Sequence, residues 1–151
     1  MKKLSVMIMA LAFMVLAACG ATTDVTYEME EMGIKAKVEM SAKGDKVQNQ
    51  KVTMTFPYDA MGVESKEMAE EMLKEDVESE TEEFEGLKGV KVSNEFQDDQ
   101  FEQVMEVNYK EADLKELEDA GFDFGEEESD YISLEKTEEN LEDEGFEKVE
   151  E

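Results

Sequence analysis

The sequence has no arginine, no histidine and no tryptophan, and only one proline and one cysteine in 151 residues. Without histidine there is no imidazole base, no Ser-His-Asp or Cys-His nucleophile system, and no His-ligated zinc, copper or iron. Without arginine there is no bidentate clamp for phosphate or carboxylate. A lone cysteine forms no intrachain disulfide. Positive charge is scarce as well: the 15 basic residues, all lysine, face 42 acids, for a formal net charge of −27. Such a chain repels a phosphate backbone, so nucleic acid is not an expected partner.

The beginning of the chain is the exception. Met1-Lys2-Lys3 is basic, Leu4 to Ala18 is almost wholly apolar, and no acid appears before Asp24. This is the pattern of a signal peptide, too short to span a bilayer comfortably. It ends in Leu16-Ala17-Ala18-Cys19-Gly20, which looks like a bacterial lipobox. Residues 1–18 are therefore expected to be removed and Cys19 to carry the lipid, palmitate included, with residues 19–24 as a short tether. Two or more acyl chains hold a protein on a membrane effectively permanently. The expected location is the extracytoplasmic side of the bacterial cell membrane, or the outer membrane if the cell has one. Lipidation also consumes the only thiol.

Residues 25–151 read as one α+β domain. Val25, Tyr27 and Met29 alternate with polar residues, as do Ile34, Ala36, Val38, Met40 and Ala42, and then Val52, Met54 and Phe56. Turns at Glu31-Met32-Gly33 and Lys43-Gly44-Asp45 make these three strands a meander. Val47 is out of parity with Val52, which predicts a bulge between them. From Glu64 the period becomes helical: Met68, Ala69, Met72, Leu73 and Val77 form a stripe expected in the core, with Ser65 as N-cap and Gly86 as stop. Val90 to Phe96 and Phe101 to Tyr109 then make a hairpin around Gln97-Asp98-Asp99-Gln100.

Leu117-Glu118-Asp119-Ala120-Gly121-Phe122 recurs as Leu141-Glu142-Asp143-Glu144-Gly145-Phe146. Both copies predict a short helix ending in a Schellman motif, with glycine left-handed and the next residue folded back on the leucine. Tyr131-Ile132-Ser133-Leu134 reads as a further strand, with Thr137 capping the second short helix. The expected fold is an antiparallel sheet, a three-stranded meander plus a hairpin, packed against one longer and two short helices.

No spacing points to catalysis. Carboxylates are abundant, but acid-base work needs one of them buried with a raised pKa. Asp123, Glu126, Glu127, Glu128 and Asp130 crowd a loop that resembles an oxygen-rich Ca²⁺ environment. The EF-hand spacing is absent, however, and acidic runs are usually solvated. No cofactor or metal is therefore expected. Without the leader, 13 lysines face 42 acids, a charge of −29. Lys35, Lys37, Lys43, Lys46 and Lys51 concentrate between residues 33 and 53 against Glu39 and Asp45 alone. That hairpin is expected either to turn toward anionic headgroups or simply to blunt a sheet edge.

Several segments together resemble the YehR-like bacterial lipoproteins, a family whose domain has no assigned function. They are Lys43 to Val47, Pro57 to Lys66, Gly86 to Val90, Tyr109 to Leu114, Ile132-Ser133-Leu134, Leu141 and Gly145-Phe146. The likeness runs from about Thr26 to Val149, and this chain departs from it by being more acidic, notably over Glu78 to Glu85. The resemblance implies an α+β lipoprotein domain and brings no catalytic residues. The expected function is a monomeric, non-enzymatic binding or interaction module for an envelope protein or small ligand. It would work through its sheet or the groove beside its first helix. The alternatives are a small carboxylate-dependent envelope hydrolase and a purely structural envelope protein.

Overall fold

A computed structural model describes residues 21–122, 124 and 130–149. Three strands, β1 (Thr22–Glu31), β2 (Ile34–Lys43) and β3 (Lys46–Pro57), form the expected meander. β1 starts three residues before the alternation does, because exposed Thr22, Thr23 and Asp24 pair with Lys43, Ala42 and Ser41. The first turn puts both Met32 and Gly33 at positive φ, 52° and 86°, the type I′ geometry that suits the right-handed twist of a hairpin. The predicted bulge is present. Ser41 faces Asn49 but Ala42 faces Val47, so Gln48 is the extra residue, and its carbonyl accepts the Tyr109 N–H at 2.9 Å.

Helix α1 (Lys66–Glu85) follows, and Ser65 Oγ accepts the Met68 N–H at its start. The hairpin β4 (Val90–Phe96) and β5 (Gln100–Asn108) comes next, then α2 (Leu114–Asp119), α3 (Leu134–Asp143) and a two-residue β6 (Glu147–Lys148). β5 pairs with β3, and β6 with Tyr27 and Glu28 of β1, giving one antiparallel six-stranded sheet in the order β4-β5-β3-β2-β1-β6. Both short helices end as predicted. Gly121 and Gly145 take φ of 93° and 96°, and Phe122 and Phe146 donate back to the carbonyls of Leu117 and Leu141.

Three local readings change. Tyr131 to Leu134 is not a strand: a single bridge joins Ser133 to Lys46, because Leu134 already begins α3. Ser133, not Thr137, caps that helix, accepting from Lys136 N–H; Thr137 lies inside it and bonds its hydroxyl back to the Ser133 carbonyl. The stripe on α1 is only partly core. Ala69 is fully buried, while Met68 and Met72 are 48% and 50% exposed.

All three helices lie on one face of the sheet. The cross-strand register lines up Tyr27, Val38, Val52, Met105 and Val92 on that side. The opposite face carries the odd-numbered lysines of β2, as their parity requires. There the register places Lys91, Glu106, Lys51 and Glu39 in one row across four strands, alternating in sign. Lys37 adds an ion pair with Glu39 at 3.4 Å. Opposite charges at facing positions stabilise a sheet, each pair by about 0.2–1 kcal/mol.

Candidate functional site: a groove across the helical face

The helices do not tile their face of the sheet. α3 packs over the β1–β2 side, where Leu134 and Leu141 join Val25, Tyr27, Val38 and Met40 in one core cluster. α1 covers the β4 side with Ala69, Leu73 and Val77 against Phe96 and Phe101. Between α3 and the α2 segment, with Leu114, Glu118, Phe122 and Phe124, a groove of about 1010 Å³ runs over the centre of the sheet. Its floor is β3 and β5: Gln50, Val52, Met54, Gln103, Met105 and Val107. Val52, Met54 and Met105 are only half-buried, so apolar surface stays open to solvent there.

One wall is the outer turn of α3, with Glu135, Glu139, Asn140 and Glu144. Three contacts hold that wall in place. Tyr27, 1% exposed, donates its hydroxyl to Glu138 Oε1 at 3.0 Å and to Glu142 Oε1 at 3.3 Å. Lys148 pairs with Glu138 and lies over the Tyr27 ring, which ties β6 into the same cluster. Asp45, in the β2–β3 turn, accepts the backbone N–H of Glu135 at 2.9 Å through its carboxylate, and that of Leu134 at 2.7 Å through its carbonyl. The Glu135 N–H is the main cause that holds the Asp45 carboxyl below its ordinary pKa, helped by Ser133, Leu134 and Tyr131. Burial, and then the two glutamates, push the Tyr27 phenol well above its usual range.

The opposite wall is aromatic. Phe122, Phe124 and Tyr109 line it, and Phe84 of α1 joins their chain of ring contacts, with centroids 5.5 to 6.2 Å apart. Two amides break the apolar floor: Gln50 Oε1 accepts from the Tyr109 hydroxyl at 2.6 Å, and Gln103 Nε2 donates to Glu80 Oε2 of α1 at 2.8 Å. Desolvation alone raises the Tyr109 phenol, so this hydroxyl stays a donor through the whole neutral and mildly alkaline range.

Among the described residues no charged side chain is buried. Nor does any group of three or more metal-ligating side chains converge among them. Cys19 and four acids of the suggested Ca²⁺ loop, Asp123, Glu126, Glu127 and Glu128, lie outside the described residues. Asp130 is described and exposed. A groove was expected beside the first helix; this one lies beside α3 and α2 instead, and no residue of α1 lines it. The signal was available: Gln50 and Gln103 are polar residues at inward-facing parity between apolar neighbours.

Comparison with known proteins gives this architecture a family. The model of a protein family of unknown function, DUF1307, matches residues 23–147. The chain belongs to that family. The uncharacterized lipoprotein Lin0239 of Listeria innocua is 37% identical over 151 residues, covering 97% of this chain and 93% of its own. The uncharacterized lipoprotein Lmo0207 of Listeria monocytogenes is 34% identical over 148 residues, covering 97% and 92%. The family fold is also seen in the NMR structure of E. coli YehR. It matches with a TM-score of 0.69 at 20% identity, over 86% of this chain and 92% of that one. An NMR structure of a protein from Streptococcus pneumoniae matches at 0.60 and 14% identity, over 85% and 86%. The YehR-like resemblance read from the blocks between Lys43 and Phe146 thus holds for this DUF1307 member in both sequence family and fold.

Proposed function

We propose that this protein is a lipoprotein of the cell envelope, anchored on the extracytoplasmic side of a membrane by lipid on Cys19. Its domain is a monomeric, non-enzymatic binding module that works through the groove between α3 and the α2 segment. The anchor is supported by Leu16-Ala17-Ala18-Cys19 and by the two Listeria relatives, both named as lipoproteins. The observation that carries the binding role is the groove floor. Val52, Met54 and Met105 are held half-open beneath an aromatic wall and a hydrogen-bonded helical wall. Apolar surface with a few fixed polar groups is the usual make-up of a ligand site. The exposed setting of the carboxylate-bearing wall residues Glu135, Glu139 and Glu144 favours this reading over a hydrolase, which needs a buried acid.

Cys19 precedes the first paired residue, Thr22, by three positions, at most about 10 Å of extended chain. The lysine-bearing turn Lys43-Gly44-Asp45-Lys46 sits at the same end of the sheet, because Lys43 pairs with Thr22. An anchored domain would hold these lysines close to the headgroups.

Two measurements test the reading. Cys19→Ser is expected to abolish incorporation of labelled palmitate and to move the protein from the membrane to the soluble fraction. A variant that stays membrane-bound without lipid overturns the anchor. The mature chain is expected to bind the neutral dye Nile red, and Val52→Lys with Met105→Lys to abolish that binding with the circular dichroism spectrum unchanged. A wild-type chain that binds no dye overturns the groove.

A further inference from the structure

The groove has a charge pattern that narrows its ligand. Its rim carries Asp45, Glu118, Glu135, Glu139 and Glu144 against Lys136, and all five acids are exposed. The floor between these acids carries Met54 and Met105, both half-buried.

Unbranched, polarizable methionine side chains adapt to varied apolar partners. Surrounding them with carboxylates selects for partners that combine apolar side chains with positive charge. We infer that the groove binds a cationic amphipathic peptide segment, its apolar face on Val52, Met54 and Met105. Its lysines or arginines would pair with Glu135, Glu139 and Glu144. An acidic rim disfavours anionic amphiphiles such as fatty acids, which would otherwise suit an apolar floor. The pairing also follows a known recognition mode, in which an amphipathic helix lays its apolar side into a groove and reads it at three- and four-residue spacing.

This proposal rests on the groove being the binding surface, and its test separates the two. The probe is a 14-residue helical Lys/Leu peptide, titrated at near-physiological salt into the mature chain carrying Cys19→Ser, by calorimetry and amide chemical-shift mapping. The controls are a Lys/Ser peptide of equal charge and a Glu/Leu peptide of equal apolarity. The expected result is Lys/Leu binding with shifts along β3, β5 and α3. Both controls should bind at least tenfold more weakly, and Glu135→Lys with Glu139→Lys should weaken Lys/Leu binding at least tenfold without lowering the melting temperature. Equal binding of Lys/Ser overturns the proposal, since charge attraction to a polyanion then explains everything. Shifts confined to the open face of the sheet overturn it as well. Equal binding of Glu/Leu, or no peptide binding while Nile red still binds, overturns the peptide but keeps the groove. If neither peptide nor dye binds, the groove reading itself is lost.

Discussion

Helices α1 and α3 invert the usual relation between length and anchorage. α1 has twenty residues and buries only Ala69 completely; α3 has ten and buries both Leu134 and Leu141. A buried leucine contributes about 1.5–3 kcal/mol, far more than an alanine. α3 is also fastened by Tyr27 to Glu138 and Glu142, and by Asp45 at its first turn. α1 reaches the sheet through two side-chain hydrogen bonds, Glu80 to Gln103 and Thr81 to Asn94. It also carries ten acids against two lysines and has no basic residue in its last turn. Negative charge at a helix C-terminus opposes the macrodipole. The α3 wall of the groove is therefore stiff, secured by packing, while α1, outside the groove, has apolar surface to spare.

The largest expected effect lies where the hairpin half is pinned. Gly89 sits at φ +81°, and an added Cβ would come within 2.7 Å of the Asn108 carbonyl oxygen and 2.9 Å of the Ala112 nitrogen. Both neighbours are backbone, so Gly89→Ala combines left-handed strain with a clash. A loss of about 3 kcal/mol is expected, read as a drop in the urea midpoint at unchanged m-value. On the α3 side, Tyr27→Phe keeps the ring and removes the hydroxyl from Glu138 and Glu142. It should cost about 1 kcal/mol in the same measurement, and speed amide exchange in α3 more than in α1. An equal effect on both helices would contradict the stiff-wall picture.

Asp45→Asn gives a smaller, pH-dependent loss. The native carboxyl is held below its ordinary value of 3.8 by the Glu135 N–H. Its stabilisation is therefore fully present above the unfolded pKa and fades as pH falls through the folded one. At neutral pH the variant should melt slightly lower, by under about 1 kcal/mol given the exposure of the site. The difference should close as the pH is taken below 3.8. The smallest effect is expected for Met68→Gln with Met72→Gln. Half-exposed side chains contribute little to the core, so stability should stay within about 0.5 kcal/mol, and Lys/Leu peptide affinity should be unchanged because neither methionine lines the groove.

Those two methionines mark the limit of what the sequence made visible. Periodicity identified the face of α1 correctly but not its depth, because a side chain at the margin of a stripe has the same spacing as one at its centre. Ser65, the parity break at Gln48 and the two Gly-Phe helix ends were readable because each is a local backbone requirement with its own residue signature. Ser133 was missed as a cap because a serine following Tyr131-Ile132 reads equally well as strand. β6 was missed because two residues, Glu147 and Lys148, carry no period. The groove was invisible for a different reason. It is the space left between α3 and the α2 segment, so its width depends on how separate elements are set on the sheet. Only its two inward glutamines left a trace.

The entry of the chain into the sheet has a mechanical consequence. β1 starts at Thr22 and lies between two neighbours, with ten residues in register against β2. Antiparallel hydrogen bonds run perpendicular to the strand. A pull arriving from the N-terminal side along β1 would load that whole ladder in shear, so the bonds would have to fail together rather than unzip one by one. The domain is built to stay folded when tugged from the end at which it would be moored.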